Sequence, residues 1–131
     1  MVKSYLDELL QDHPGDLTKL INNIRVIKSN HELNIARHAG EVGMAMMEAA
    51  KKTIGHNVPE YEVALAQSQA GTRKAADLLK EFYPDNINMS PNIHFLPVMT
   101  SGHDLPKTHH RASTKIIKKG DPVFVCYCGS T

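Results

Sequence analysis

The sequence predicts an α+β fold, N-terminal helices followed by antiparallel strands, and three observations predict it. Residues 30–54 and 60–82 carry apolar side chains three and four positions apart, the spacing of one helical face. Beyond residue 93 that period gives way to short runs rich in β-formers: Phe95-Leu96, Val98-Met99 and Val123-Phe124-Val125-Cys126-Tyr127-Cys128. Turn residues bound those runs, Ser101-Gly102 after the first and Gly120-Asp121 before the second. Helices grouped before strands, rather than alternating with them, are the pattern of an α+β layer arrangement.

Taken in order, residues 4–12 are helix-compatible, with Leu6, Leu9 and Leu10 at helical spacing, and His13-Pro14-Gly15 stops them. Asp16 is a good N-cap for a second short helix reaching about Ile27, whose apolar face is Leu17, Leu20, Ile21 and Ile24. Ser29 and Glu32 stand at the spacing of a capping box, so a long helix starts near Asn30. Its face is Ile35, Ala39, Val42, Met46 and Ala49, and the methionines Met44, Met46 and Met47 are expected to fill core rather than form an adaptable binding surface. Gly55 ends that helix. Pro59 suits the first position of the next, which presents Tyr61, Leu65, Ser68, Thr72, Ala75, Leu79 and Phe82 on one side. Gly71 weakens its centre by roughly 1 kcal/mol relative to alanine. Two such helices in succession form an antiparallel pair, and Pro84-Asp85-Asn86 opens a loop over residues 84–93.

Composition limits the function classes. A chain of 131 residues, 41% apolar and 22% charged, is long enough for one globular domain with a real core. A net charge of +1 gives no global field to draw in nucleic acid or a membrane surface. No apolar run approaches the roughly 20 residues that span a bilayer, and the N-terminus lacks a signal-peptide core. The two cysteines, one residue apart, are poor disulfide partners, so a reduced, cytoplasmic protein is expected.

Chemistry-bearing residues gather between the two strands. The loop holds His103, His109 and His110, side chains that donate, accept and titrate near neutral pH. With Cys126 and Cys128 they make a conceivable zinc set. Against it, a Cys-x-Cys pair on one strand points its thiols to opposite faces, and the spacing fits no zinc ribbon or finger. A nucleophilic Cys126 needs something to depress its thiol pKa, and the sequence supplies nothing of that kind. Arg111, Lys115, Lys118 and Lys119 form a basic run, a solvated face or an attraction for a carboxylate-bearing substrate.

Three groups of residues resemble, in order, motifs of the creatinase, prolidase and aminopeptidase P hydrolases, the pita-bread fold. Arg25, Lys28, Ser29, Glu32, Ile35 and Ala36 match the entry to that family's first catalytic-domain helix. Glu60-Tyr61-Glu62-Val63-Ala64 resembles the start of its second. Ser101-Gly102, a histidine eight residues after the serine at His109, and Gly120-Asp121 leading into a strand match the family's first active-site segment. The resemblance covers roughly residues 20–129. It implies a helical lead-in over residues 1–28 and a partial pita-bread catalytic domain, its first half, over residues 29–131. The family's later histidine and two later glutamates match no position here.

The resemblance assigns His109 as the catalytic acid/base, with His110, His103 and Asp104 as substrate-binding candidates. Asp104 stands where relatives commonly carry asparagine, and it would orient His109 or Lys107 or hold the turn. Cys126 occupies the position at which metal-dependent relatives place an aspartate ligand. A soft thiolate suits a different metal from the hard divalent ions of such sites, and creatinase likewise lacks that aspartate. No metal or other cofactor is therefore expected, the alternative being a divalent ion such as manganese or cobalt. The function implied is metal-independent C–N hydrolysis of a small amide or amidino substrate when the domain is complete. The alternatives are a metal-dependent Xaa-Pro dipeptidase or aminopeptidase relative, and a non-catalytic binding module on the same fold. The expected partners are a small-molecule or dipeptide substrate and a second copy of the chain, with no nucleic acid and no membrane. The homo-oligomer interface would use the helix bearing Ile35, Val42 and Met46 or the strand over residues 123–128.

Overall fold

The computed structural model describes residues 15–92, 98–107 and 109–127. The expected helix over residues 4–12, the Phe95-Leu96 part of the first strand and Cys128 lie outside the described residues. The chain divides into two compact units, residues 1–33 and 34–131.

In the first unit, helix α1 (Thr18–Val26) forms where the Leu17, Leu20, Ile21 and Ile24 spacing predicts it. Leu17 rather than Asp16 is its N-cap residue, although the Asp16 carboxylate still accepts from the Thr18 N–H at 2.9 Å. None of its residues is buried. The capping box at the start of α2 (Asn30–Thr53) is present in full. Ser29 N–H and Oγ–H donate to Glu32 Oε2 at 2.7 and 2.8 Å, and Glu32 N–H donates back to Ser29 Oγ at 3.2 Å.

In the second unit, α2 and α3 (Glu60–Phe82) carry a two-stranded antiparallel sheet. Strand β1 (Val98–Ser101) pairs with β2 (Val123–Cys126) in the register Val98 to Cys126, Met99 to Val125, Thr100 to Phe124 and Ser101 to Val123. A 3₁₀ turn (Gly102–Asp104) follows β1 directly. Opposite residues in an antiparallel pair share a face, and successive residues alternate. Met99, Val125 and Val123 therefore face one way, and all three belong to the cluster around Ala50, Val63 and Ile117. Val98, Thr100, Phe124 and Cys126 form the other face. A second cluster joins Val42 and Met46 of α2 to Leu78 of α3, with Ala75 and Tyr127 packed against it.

Two sequence expectations need correction. The apolar line expected to face inward on α3 is one residue out of phase. Glu60, Val63, Gln67, Gly71 and Leu78 are buried, while Tyr61, Leu65 and Phe82 are exposed. One residue is about 100° of helix rotation. The buried line holds a carboxylate, an amide and a glycine, so hydrophobicity marks the neighbouring line instead. The methionines of α2 also divide: Met46 is 0% exposed, but Met44 is 62% exposed and Met47 lies on the surface with it. Val42 and Met46 are covered by their own chain, while Ile35 of the same helix is half-buried.

Candidate functional site

The polar loop hangs from the end of β1, and a buried carboxylate fixes both of its flanks. Glu60, at the N-terminus of α3, is 1% exposed. Its Oε1 accepts from Ser101 N–H at 2.9 Å and Ser101 Oγ–H at 2.8 Å. Its Oε2 accepts from Ser113 N–H at 3.1 Å and Ser113 Oγ–H at 2.6 Å. Burial pushes this carboxyl up, but the hydrogen bonds from Ser113 and Ser101 outweigh burial and leave it below the ordinary range. The backbone repeats the junction: Glu60 N–H donates to Lys115 O at 2.9 Å and Tyr61 N–H to Ser113 O at 3.0 Å. The first helical N–H groups, which have no partner inside the helix, are satisfied by the segment that leaves the loop.

The Ser-Gly and Gly-Asp turns, separated by eighteen positions in sequence, meet in space. Gly102 N–H donates to Pro122 O at 2.9 Å. Gly102 has φ +60, and a Cβ placed on it would lie 3.1 Å from Asp121 Oδ1 and 3.2 Å from its Cγ. Asp121 Oδ2 in turn accepts from Lys118 N–H at 3.0 Å, closing the second turn. Glycine is required at 102 twice over, by backbone conformation and by the carboxylate beside it.

Asp104 sits in the 3₁₀ turn at 8% exposure. Its Oδ1 lies 2.6 Å from Lys107 Nζ and its Oδ2 accepts from Lys115 Nζ at 2.9 Å. Lys115 Nζ also donates to the Ser101 carbonyl. The two ammonium groups, Lys107 first, hold the Asp104 carboxyl well below the usual carboxylate range. His103 Nε2 is 3.4 Å from Asp104 Oδ1, with its ring 84% exposed to solvent.

His109 is exposed and takes φ 55, a left-handed conformation uncommon for a residue with a side chain. His110 Nδ1–H donates to Arg111 O at 2.6 Å. Arg111 forms a β-bridge to Val98, which on its other side pairs with Cys126. Arg111, Val98 and Cys126 thus form one row across the sheet, its ends about 10 Å apart at two inter-strand spacings. His109 precedes Arg111 by two residues in sequence, whereas His103 lies just beyond the opposite end of β1.

Cys126 is half-buried on the sheet face turned away from the Met99 cluster. No group of three or more His, Cys, Asp or Glu side chains arranged to hold a metal ion occurs among the described residues. Sequence reading set Asp104 against Lys107 or His109, and the structure puts Lys107 beside it; it missed the Lys115 arm of the clamp and the whole Glu60 junction. No described helix is long and apolar enough to cross a membrane. Compared with models of known protein families, the chain matches none.

Proposed function

We propose that the chain is the first half of a pita-bread hydrolase domain of the creatinase and Xaa-Pro peptidase type, cleaving a C–N bond in a small amide or amidino substrate without metal. The observation that carries this reading is the meeting of Ser101-Gly102 with Gly120-Asp121-Pro122. Turns matched to the family by spacing alone make one close-packed unit, from whose two strands the His109 loop and Cys126 project. His109 is the general acid/base: exposed, on a loop held by a rigid frame, and of a type that exchanges a proton near neutral pH. Arg111, Lys118 and Lys119 of the basic run favour a substrate carboxylate, Lys115 being held by Asp104. The thiol at Cys126, where relatives hold hard metal ions by carboxylate, supports the metal-free reading over the metallopeptidase one.

Two measurements test this. Elemental analysis of the purified chain is expected to find no stoichiometric manganese, cobalt or zinc; about one ion per chain, lost in Cys126→Ser, contradicts the metal-free reading. Incubated alone with creatine or Xaa-Pro dipeptides, the chain is expected to turn over neither, since the family's later histidine and glutamates match none of its positions. Turnover abolished by His109→Ala overturns the half-domain reading.

A further inference from the structure

A single carboxylate ties down both sides of the His109 loop. Asp104 reaches Lys107, which precedes His109, and Lys115, which follows it, at 2.6 and 2.9 Å. Lys115 is itself anchored to the end of β1 through the Ser101 carbonyl, and Lys107 N–H donates to Asp104 O at 2.9 Å. On the far side, Arg111 is fixed to β1 by its bridge to Val98. Between Lys107 and Arg111, the described residues His109 and His110 carry none of these anchors. We infer that Asp104 is the positioning residue of His109, clamping the loop on both sides so that His109 keeps its left-handed backbone in the short span between Lys107 and the Arg111 bridge to Val98. The inference rests on the proposed role of His109 for its functional meaning, not for its geometry.

The physics is direct. A left-handed residue with a side chain persists only where its surroundings over-determine it. Without the Asp104 charge, Lys107 and Lys115 lose a shared counter-ion and repel each other, and the backbone bond from Lys107 N–H to Asp104 O is left without the side-chain clamp that braces it. The charged and titratable groups facing Asp104 are Lys107, Lys115 and His103, all three of one sign when protonated. An amide at position 104 keeps the shape of the carboxylate and removes the charge that holds them.

The test is the backbone order parameter of the His109 amide by NMR relaxation in the wild-type chain, Asp104→Asn and Asp104→Glu. Wild type is expected near the rigid value of about 0.85, Asp104→Asn below about 0.6, and Asp104→Glu restored most of the way. The Met99 and Val125 amides should not move between variants. Should Asp104→Asn fail to fold, Lys107→Gln opens the same clamp from an exposed side chain and is expected to mobilise His109 likewise. An unchanged His109 amide in a folded variant overturns the inference, and so does a loosening shared equally by Met99 and Val125. The acid/base role is judged apart, by ligand-induced shifts in wild type, so either claim can fail while the other stands.

Discussion

At Glu60 one buried carboxylate accepts from both serines that flank the loop, and its behaviour with pH follows from that geometry. Its folded pKa lies below the ordinary value, so its stabilisation is fully present above the unfolded pKa of about 4.3 and is lost as pH falls through the folded one. Asp104, depressed by Lys107 and Lys115, acts in the same direction. Urea midpoints are therefore expected to decline below about pH 4, and Glu60→Gln to flatten that decline. At neutral pH Glu60→Ala strands the Ser101 and Ser113 donors and should cost roughly 3 kcal/mol; a loss below about 1 kcal/mol would show that water replaces the carboxylate. The glycines offer a second comparison. Gly102 and Gly120 both have positive φ, but a Cβ meets Asp121 at the first and open space at the second. Gly120→Ala should cost about 1 kcal/mol of backbone strain and Gly102→Ala clearly more. In a double-mutant cycle, Asp121→Ala should cost less beside Gly102→Ala than alone. Equal costs for the two glycines contradict the close approach.

At the scale of elements, α2 and α3 bury one line each, and the buried lines differ in kind. Met46→Ala empties a wholly buried site and should cost roughly 2–5 kcal/mol, whereas Met44→Ala, on the surface, should stay within about 0.5 kcal/mol. Thermal or urea unfolding of the two variants checks this, and similar losses would contradict the packing. The α2 line was legible because Val42 and Met46 are apolar and recur at helical spacing, and its start was legible because a capping box is local chemistry. The α3 line was not. Glu60 is buried because Ser101 and Ser113, forty or more residues away, complete its hydrogen bonds, and no local pattern announces such partners. The turns of the candidate site were legible from their glycines and spacing. The Asp104 clamp was only half legible: Lys107, three residues on, was within local reach, but Lys115 looks like part of a solvated run until the fold brings it to the same carboxylate.

For the molecule as a whole, the surface keeps large apolar side chains exposed, among them Phe124 of β2 at 46% and Ile116. Association covers exposed apolar side chains, and two-fold self-pairing is its commonest form. Val42 and Met46 are buried, so of the two surfaces the strand carrying Phe124 offers more exposed apolar area for pairing, with Ile35 the part of the helix face still open. Light scattering at micromolar concentration should return the mass of a dimer or larger, and a monomer would contradict this. The central claim, that the loop held by Glu60 and Asp104 is a hydrolase's substrate site centred on His109, has a more direct test. NMR titration of the chain with creatine and with an Xaa-Pro dipeptide should produce saturable shifts in the His109 ring and the amides of His110 and Arg111, with the amide shifts lost in His109→Ala. Shifts that map elsewhere, or none at His109 with any small amide or amidine at saturating concentration, would contradict it.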